Sequence, residues 1–159
     1  MIGFDTVSGG DASGNGWGRP ISMPAGMDYW VGTWVDSGNG AELRNYSGSW
    51  GLQSATYSPN PDNLSISKDA SSVTVQFAFA GMGLSAGSTF AFDVFSSGGG
   101  GGDSAVDALA NPLPSVTDWG DAYSSQSTLT YTISQVPEPA SALVLGVGML
   151  ALVGRMRRK

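Results

Sequence analysis

The chain has 159 residues, 13 acidic against 7 basic, a formal net charge of −6, no Cys, no His and 24 Gly. Only 13% of it is charged, about half the usual share, while Gly is about double its usual ~7%. Such a composition excludes a disulfide framework, a zinc centre, a Cys or His nucleophile and an imidazole base. It also excludes nucleic acid as a partner, because a Lys-poor acidic chain cannot neutralise phosphates.

In chain order, residues 2–7 open as a strand, with Ile2 and Phe4 alternating before Val7. A Gly- and Asp-rich stretch carrying Trp17 follows. Strand-like segments recur over residues 28–35, near 41–46 and over 64–67, separated by turn residues at Ser37–Gly40 and Pro59–Asp62. Three segments show clear period-2 alternation. They are residues 72–79 (Val73, Val75, Phe77, Phe79 on one face), 89–95 (Phe90, Phe92, Val94 opposite Asp93) and 127–133 (Leu129, Tyr131, Ile133). Between them, Gly81–Gly87 and Gly98–Gly102 read as loops, and Asp103–Ala110 as one or two helical turns. The Gly98–Gly102 run is no phosphate cradle, since no Gly-Lys-Ser/Thr follows it and Asp103 repels a phosphate. About seven strands with Gly loops predict an all-β, antiparallel β-sandwich or jelly-roll-like head over residues 1–134.

The end of the chain is of another kind. Residues 1–136 hold 12 acids and three bases (Arg19, Arg44, Lys68), whereas 137–159 hold Glu138 alone against Arg155, Arg157, Arg158 and Lys159. Between Glu138 and Arg155 there is no charge at all. A helix over residues 140–154 covers about 22 Å, short of the ~30 Å hydrocarbon core. It lacks a polar face, however, and the basic cluster beyond it is placed to snorkel to lipid headgroups. These features predict a single C-terminal transmembrane helix over 140–154, with Arg155, Arg157, Arg158 and Lys159 as the cytoplasmic stop and the head on the opposite side. A head placed there requires a secretion signal. Met1-Ile2-Gly3-Phe4-Asp5 supplies neither a basic n-region nor an apolar h-region, so the expectation is that Met1 is an internal start or that the chain is a fragment, truncated at its N-terminus.

Val136-Pro137-Glu138-Pro139, the apolar stretch with Gly146, Gly148 and Gly154, and the run Arg155-Met156-Arg157-Arg158-Lys159 together resemble the PEP-CTERM sorting domain. The resemblance covers about the last 23 residues. It implies a bacterial protein sorted by an exosortase in organisms that make exopolysaccharide and biofilm. Pro137, Glu138 and Pro139 would then be the recognition residues, and exosortase, the lipid bilayer and exopolysaccharide the partners. Local chemistry agrees: Pro137 and Pro139 fix φ, and Pro139 biases Glu138 towards the extended backbone a processing enzyme can thread.

Within the head, three constellations are candidates for chemistry. The first is aromatic: Trp17, Tyr29, Trp30, Trp34, Trp50, Tyr57, Trp119 and Tyr123. Aromatic faces stack on sugar rings, so Trp17, Trp119 and Tyr123 are the candidate glycan contacts, with Trp17 and Trp119 in loops that favour exposure. Trp30 and Trp34, four residues apart, share a strand face and read as core. The second is acidic: Asp103, Asp107, Asp118 and Asp121 are weak calcium candidates, since their spacing fits no defined calcium loop and turn-forming Asp explains them better. The third is a carboxylate pair for glycoside hydrolysis. Glu42 is the only Glu outside the tail, so such a pair would be mostly Asp, and nothing singles out two. The expectation is therefore a non-enzymatic, cofactor-free surface or matrix protein, tethered and then sorted through its tail. A carbohydrate-binding module is the alternative and a small glycan hydrolase the weakest reading.

Overall fold

A computed structural model describes residues 1–35, 38–111 and 116–134. Its main element is one seven-stranded sheet built from β1 (Ile2–Asp5), β3 (Tyr29–Trp34), β4 (Gly40–Tyr46), β5 (Trp50–Ala55), β8 (Thr89–Ser97), β9 (Ala105–Ala108) and β11 (Leu129–Thr132). The order is β11-β8-β1-β3-β4-β5, every pairing antiparallel. β9 pairs with the far end of β8, Phe95 opposite Ala108. Short outlying pairs complete the domain: β2 (Ile21–Ser22) runs parallel to β10 (Tyr123–Ser124), and β6 (Ser65–Lys68) forms an antiparallel pair with β7 (Val73–Gln76).

Register divides the side chains between two faces, because cross-strand partners point the same way. Ile2 lies opposite both Val31 and Val94, and Val31 opposite Leu43. This first face gathers Phe4, Val31, Leu43 and Phe90 under Leu64, Met82 and Leu84, with Ile66, Val75 and Phe77 closing over it. The cover is the β6–β7 pair and the 3-10 turn Phe79–Met82, which ends on Gly83 in the left-handed region. The second face carries Gly3, Trp30 and Phe95. It is covered by Ile21, Met23 and Met27 from the long loop after β1, by Tyr123, and by Ala105 and Ala108 of β9. Trp30 is fully buried and stacks on Phe95, centroids 6.0 Å apart and planes at 21°.

The all-β, antiparallel expectation holds. The layers differ from a sandwich or jelly roll of two comparable sheets, because one large sheet is covered on each face by a two-stranded pair and loops. The strands expected over residues 72–79 and 127–133 are shorter, Val73–Gln76 and Leu129–Thr132. The helical turns expected over Asp103–Ala110 are instead β9. Pairing wins there because the end of β8 would otherwise leave its outer backbone groups open, and small Ala105 and Ala108 can pack beneath Phe95 while Val106 and Asp107 stay outside. Among the described residues no helix is long and apolar enough to cross a membrane. The expected span 140–154, the sorting residues Pro137, Glu138 and Pro139, and the basic end lie outside the described residues.

Bulges and buried carboxylates set the loops. Between Leu43 and Arg44 the β4–β5 register shifts and leaves Gln53 as the extra residue. Its amide reaches the Asp62 carboxylate at 2.9 Å and the Gly81 carbonyl at 2.8 Å. Asp93 in the middle of β8 is fully buried on the second face. It accepts from the backbone N–H groups of Val94 and Ala110 and from the Ser125 hydroxyl, each at 2.8 Å. One carboxylate thus ties the segments following β9 and β10 to the centre of the sheet.

Candidate functional site

The second face changes character towards the β3–β4 turn. Trp34 pairs with Gly40, Gly32 with Glu42 and Trp30 with Arg44, so each large side chain at the tip stands beside a glycine or a charged residue. Both glycines are sterically required. A Cβ on Gly40 would come within 2.0 Å of the Trp34 ring, and one on Gly32 within 2.1 Å of the Trp17 ring. The two indoles therefore rest directly on the strand backbones.

From these contacts a strip of rings is assembled. Tyr57 and Trp34 have centroids 6.4 Å apart, Trp34 and Trp17 6.1 Å, with interplanar angles of 35° and 33°. The Arg19 guanidinium lies 5.6 Å from the Trp17 ring centroid, within cation–π range. Arg19 also donates to Ser97 Oγ at 2.9 Å and to the Asp103 and Gly98 carbonyls at 3.1 and 3.2 Å. Trp119 packs on that glycine loop, where a Cβ on Gly98 would lie 2.9 Å from its ring. Trp17 and Trp119, 102 positions apart in sequence, are thus joined through Arg19 and Gly98.

Glu42 organises the strip from below. Its Oε2 accepts from Trp17 Nε1 and from Arg44 Nε, both at 2.8 Å, and its Oε1 accepts from the Tyr57 hydroxyl. Burial pushes the carboxyl up, but the three donors and the Arg44 charge outweigh it and hold Glu42 below the usual carboxylate range. Donating to Glu42 in turn raises the Tyr57 phenol. Beside the strip, a cleft of about 320 Å³ is bordered by Trp17, Arg19, Thr33, Val35, Ser97 and Gly98.

The candidate glycan residues are placed unequally. Trp119 is exposed, at 56%, and Trp17 is half-buried between Gly32 and Arg19. Tyr123 is buried against Phe95 and lies in the core, out of reach of a polysaccharide. Trp30 is core as expected, whereas Trp34, on the same face, is half-buried in the strip. Sequence reading missed Glu42, Arg19 and Arg44 as partners of these rings. The available signal was the alternation Gly32-Thr33-Trp34 against Gly40-Ala41-Glu42, legible only once the hairpin register is known.

The calcium candidates do not converge. Among the described residues no three acidic side chains form a cation-binding group. Asp121 accepts from Thr117 N, Thr117 Oγ1 and Asp118 N, Asp118 from Trp119 N, and Asp103 from Gly100 N. Asp107 is exposed on β9. Three of the four carboxylates accept from backbone N–H groups of their own turns.

A β-rich head followed by an apolar, basic-ended tail is the layout of a protein addressed through its C-terminus. Residues 135–159 match the family model of the PEP-CTERM protein-sorting motif. The chain carries this motif, which implies recognition by exosortase and supports a sorted surface or extracellular protein. No curated protein and no solved structure matches the chain.

Proposed function

We propose that the chain is an exported bacterial matrix or surface protein, held in the membrane by residues 140–154 until an exosortase acts at Pro137-Glu138-Pro139. The match over 135–159 carries this reading. It is supported by the uncharged stretch between Glu138 and Arg155 and by the four cations that end the chain. The test replaces Pro137-Glu138-Pro139 by three alanines in a chain fitted with a secretion leader. The expected outcome is a product retained at full length in the membrane; unchanged size and release would remove the motif from the mechanism.

The head acts without catalysis, as a binding and structural unit of the biofilm. Glu42, the acid nearest to the rings, is occupied by three protein donors and is therefore poorly suited to protonate a leaving group. A second reading, a carbohydrate-binding module, is favoured by one observation. Arg19 lies over Trp17 and bonds the Gly98 carbonyl, and Trp119 packs beside Gly98.

A further inference from the structure

We propose that the Tyr57–Trp34–Trp17 rings, extended by Arg19 towards Trp119, bind neutral pyranose polysaccharide, a proposal that rests on reading the head as a carbohydrate binder. Three features set these rings apart from core. Trp34 and Trp17 lie against Gly40 and Gly32, where any Cβ would evict them, so one face of each ring is spent on the strand. Both rings nevertheless remain half-buried, and Tyr57 is 58% exposed. Trp30, on the same strand and face, is instead fully covered by Phe95.

The ring faces carry negative quadrupole density, which attracts the polarised C–H face of a pyranose. The three rings are fixed in place, so little rotamer entropy is lost on binding. Trp17 and Tyr57 are anchored through Glu42, and Trp34 is wedged between them over Gly40. The cleft beside Trp17, bordered by Arg19, Val35 and Gly98, continues the ring surface.

Charge selects the class of ligand. Residues 1–136 hold 12 acids against three bases, and Glu42 lies beneath the strip, so a uronate polymer meets repulsion on approach. The Arg19 charge is engaged with three protein oxygens and the Trp17 ring. Neutral hexose chains face no such barrier.

The test uses the full chain in a detergent without a sugar head group, titrated with cellohexaose, dextran, mannan and alginate while tryptophan fluorescence and calorimetry are followed. Saturable binding to at least one neutral polymer and none to alginate is expected. Trp34→Ala and Tyr57→Ala should each weaken it at least tenfold, and Tyr57→Phe should retain most of it. Val7→Ala, beyond the opposite end of β1, should leave it unchanged. If Trp34→Ala unfolds, the exposed ring of Tyr57 carries the test. Binding to none of the neutral polymers overturns both this site and the carbohydrate reading. Neutral binding indifferent to Tyr57→Ala, or preference for alginate, overturns the site or its selectivity and leaves the carbohydrate reading standing.

Discussion

The two faces of the main sheet solve the same problem differently. The first buries Phe4, Val31, Leu43 and Phe90 under Leu64, Met82 and Leu84, with the Asp62 carboxylate, which accepts from Gln53 and Ser54, tying its edge. The second buries Trp30 and Phe95 but also Asp93, and places Glu42 near its tip. Each of these two carboxylates accepts three hydrogen bonds, Asp93 from Val94, Ala110 and Ser125 and Glu42 from Trp17, Arg44 and Tyr57. A loop-covered face with few long strands lacks the contact area to order its cover by packing alone. Charged acceptors compensate, because a hydrogen bond to a charged group contributes about 1.5–3 kcal/mol. They also leave polar chemistry beside the Trp17, Trp34 and Tyr57 rings near the surface.

Substitutions on each face sharpen this contrast. On the first face, Phe90→Ala should cost about 3–5 kcal/mol by urea unfolding, through lost burial and a cavity, while the strip's tryptophan emission stays as it was. On the second, Asp93→Ala strips two backbone N–H groups and a buried hydroxyl of their acceptor. It should cost about 3 kcal/mol, with the segments after β9 and β10 losing amide-exchange protection first. A cost below about 1 kcal/mol would remove the carboxylate from its role as tie.

Glu42→Gln should cost less, about 1–2 kcal/mol, and should redshift tryptophan emission as Trp17 loosens. The pH dependence has a definite sign. Glu42 and Asp11 are held below their ordinary values of 4.5 and 3.8. For Asp11, burial pushes upward, and donors from Ser13, Gly14 and Trp50 prevail. Groups lowered on folding contribute stability that is complete above their unfolded values and lost as pH falls through their folded ones. Stability should therefore decline below about pH 4.5 and keep falling beneath 3.8. Asp5, raised by burial and by the nearby Asp28 charge, opposes this slope. In Glu42→Gln the decline should be shallower; an identical slope would refute the stabilised carboxylate. The smallest effect is expected of Tyr123→Phe. The Tyr123 hydroxyl is buried without a partner among the described residues, so removing it should be neutral or stabilise by up to about 1 kcal/mol.

Much of the architecture was legible from alternation. Residues 72–79, 89–95 and 127–133, which alternate clearly, and the strand-like segments 2–7, 28–35, 41–46 and 64–67 each overlap a strand, because period 2 is a local property that survives without knowledge of partners. What alternation cannot encode is which strands share a sheet, and that turned an expected sandwich into one large sheet with small covers. β9 escaped notice because Ala105-Val106-Asp107-Ala108 has little intrinsic preference and takes its conformation from the open edge of β8. Tyr123 was misplaced for a related reason. Its neighbours in sequence are Gly120, Asp121, Ala122, Ser124 and Ser125, which show no large apolar alternation, and only the parallel pairing with Ile21 draws it beneath Phe95.

The chain's own order of residues was enough to determine the address at its end, because hydropathy, charge asymmetry and a contiguous motif need no folding partner to be read. It also determined the β class and the absence of thiol and imidazole chemistry. Which aromatics are core and which form a strip follows from contacts made across the fold. That choice depends on Gly32 and Gly40 lying across from Glu42 and Trp34, on a loop delivering Trp17 and Arg19, and on Glu42 accepting from Trp17 and Tyr57. Such contacts are long-range and steric, and no local window contains them.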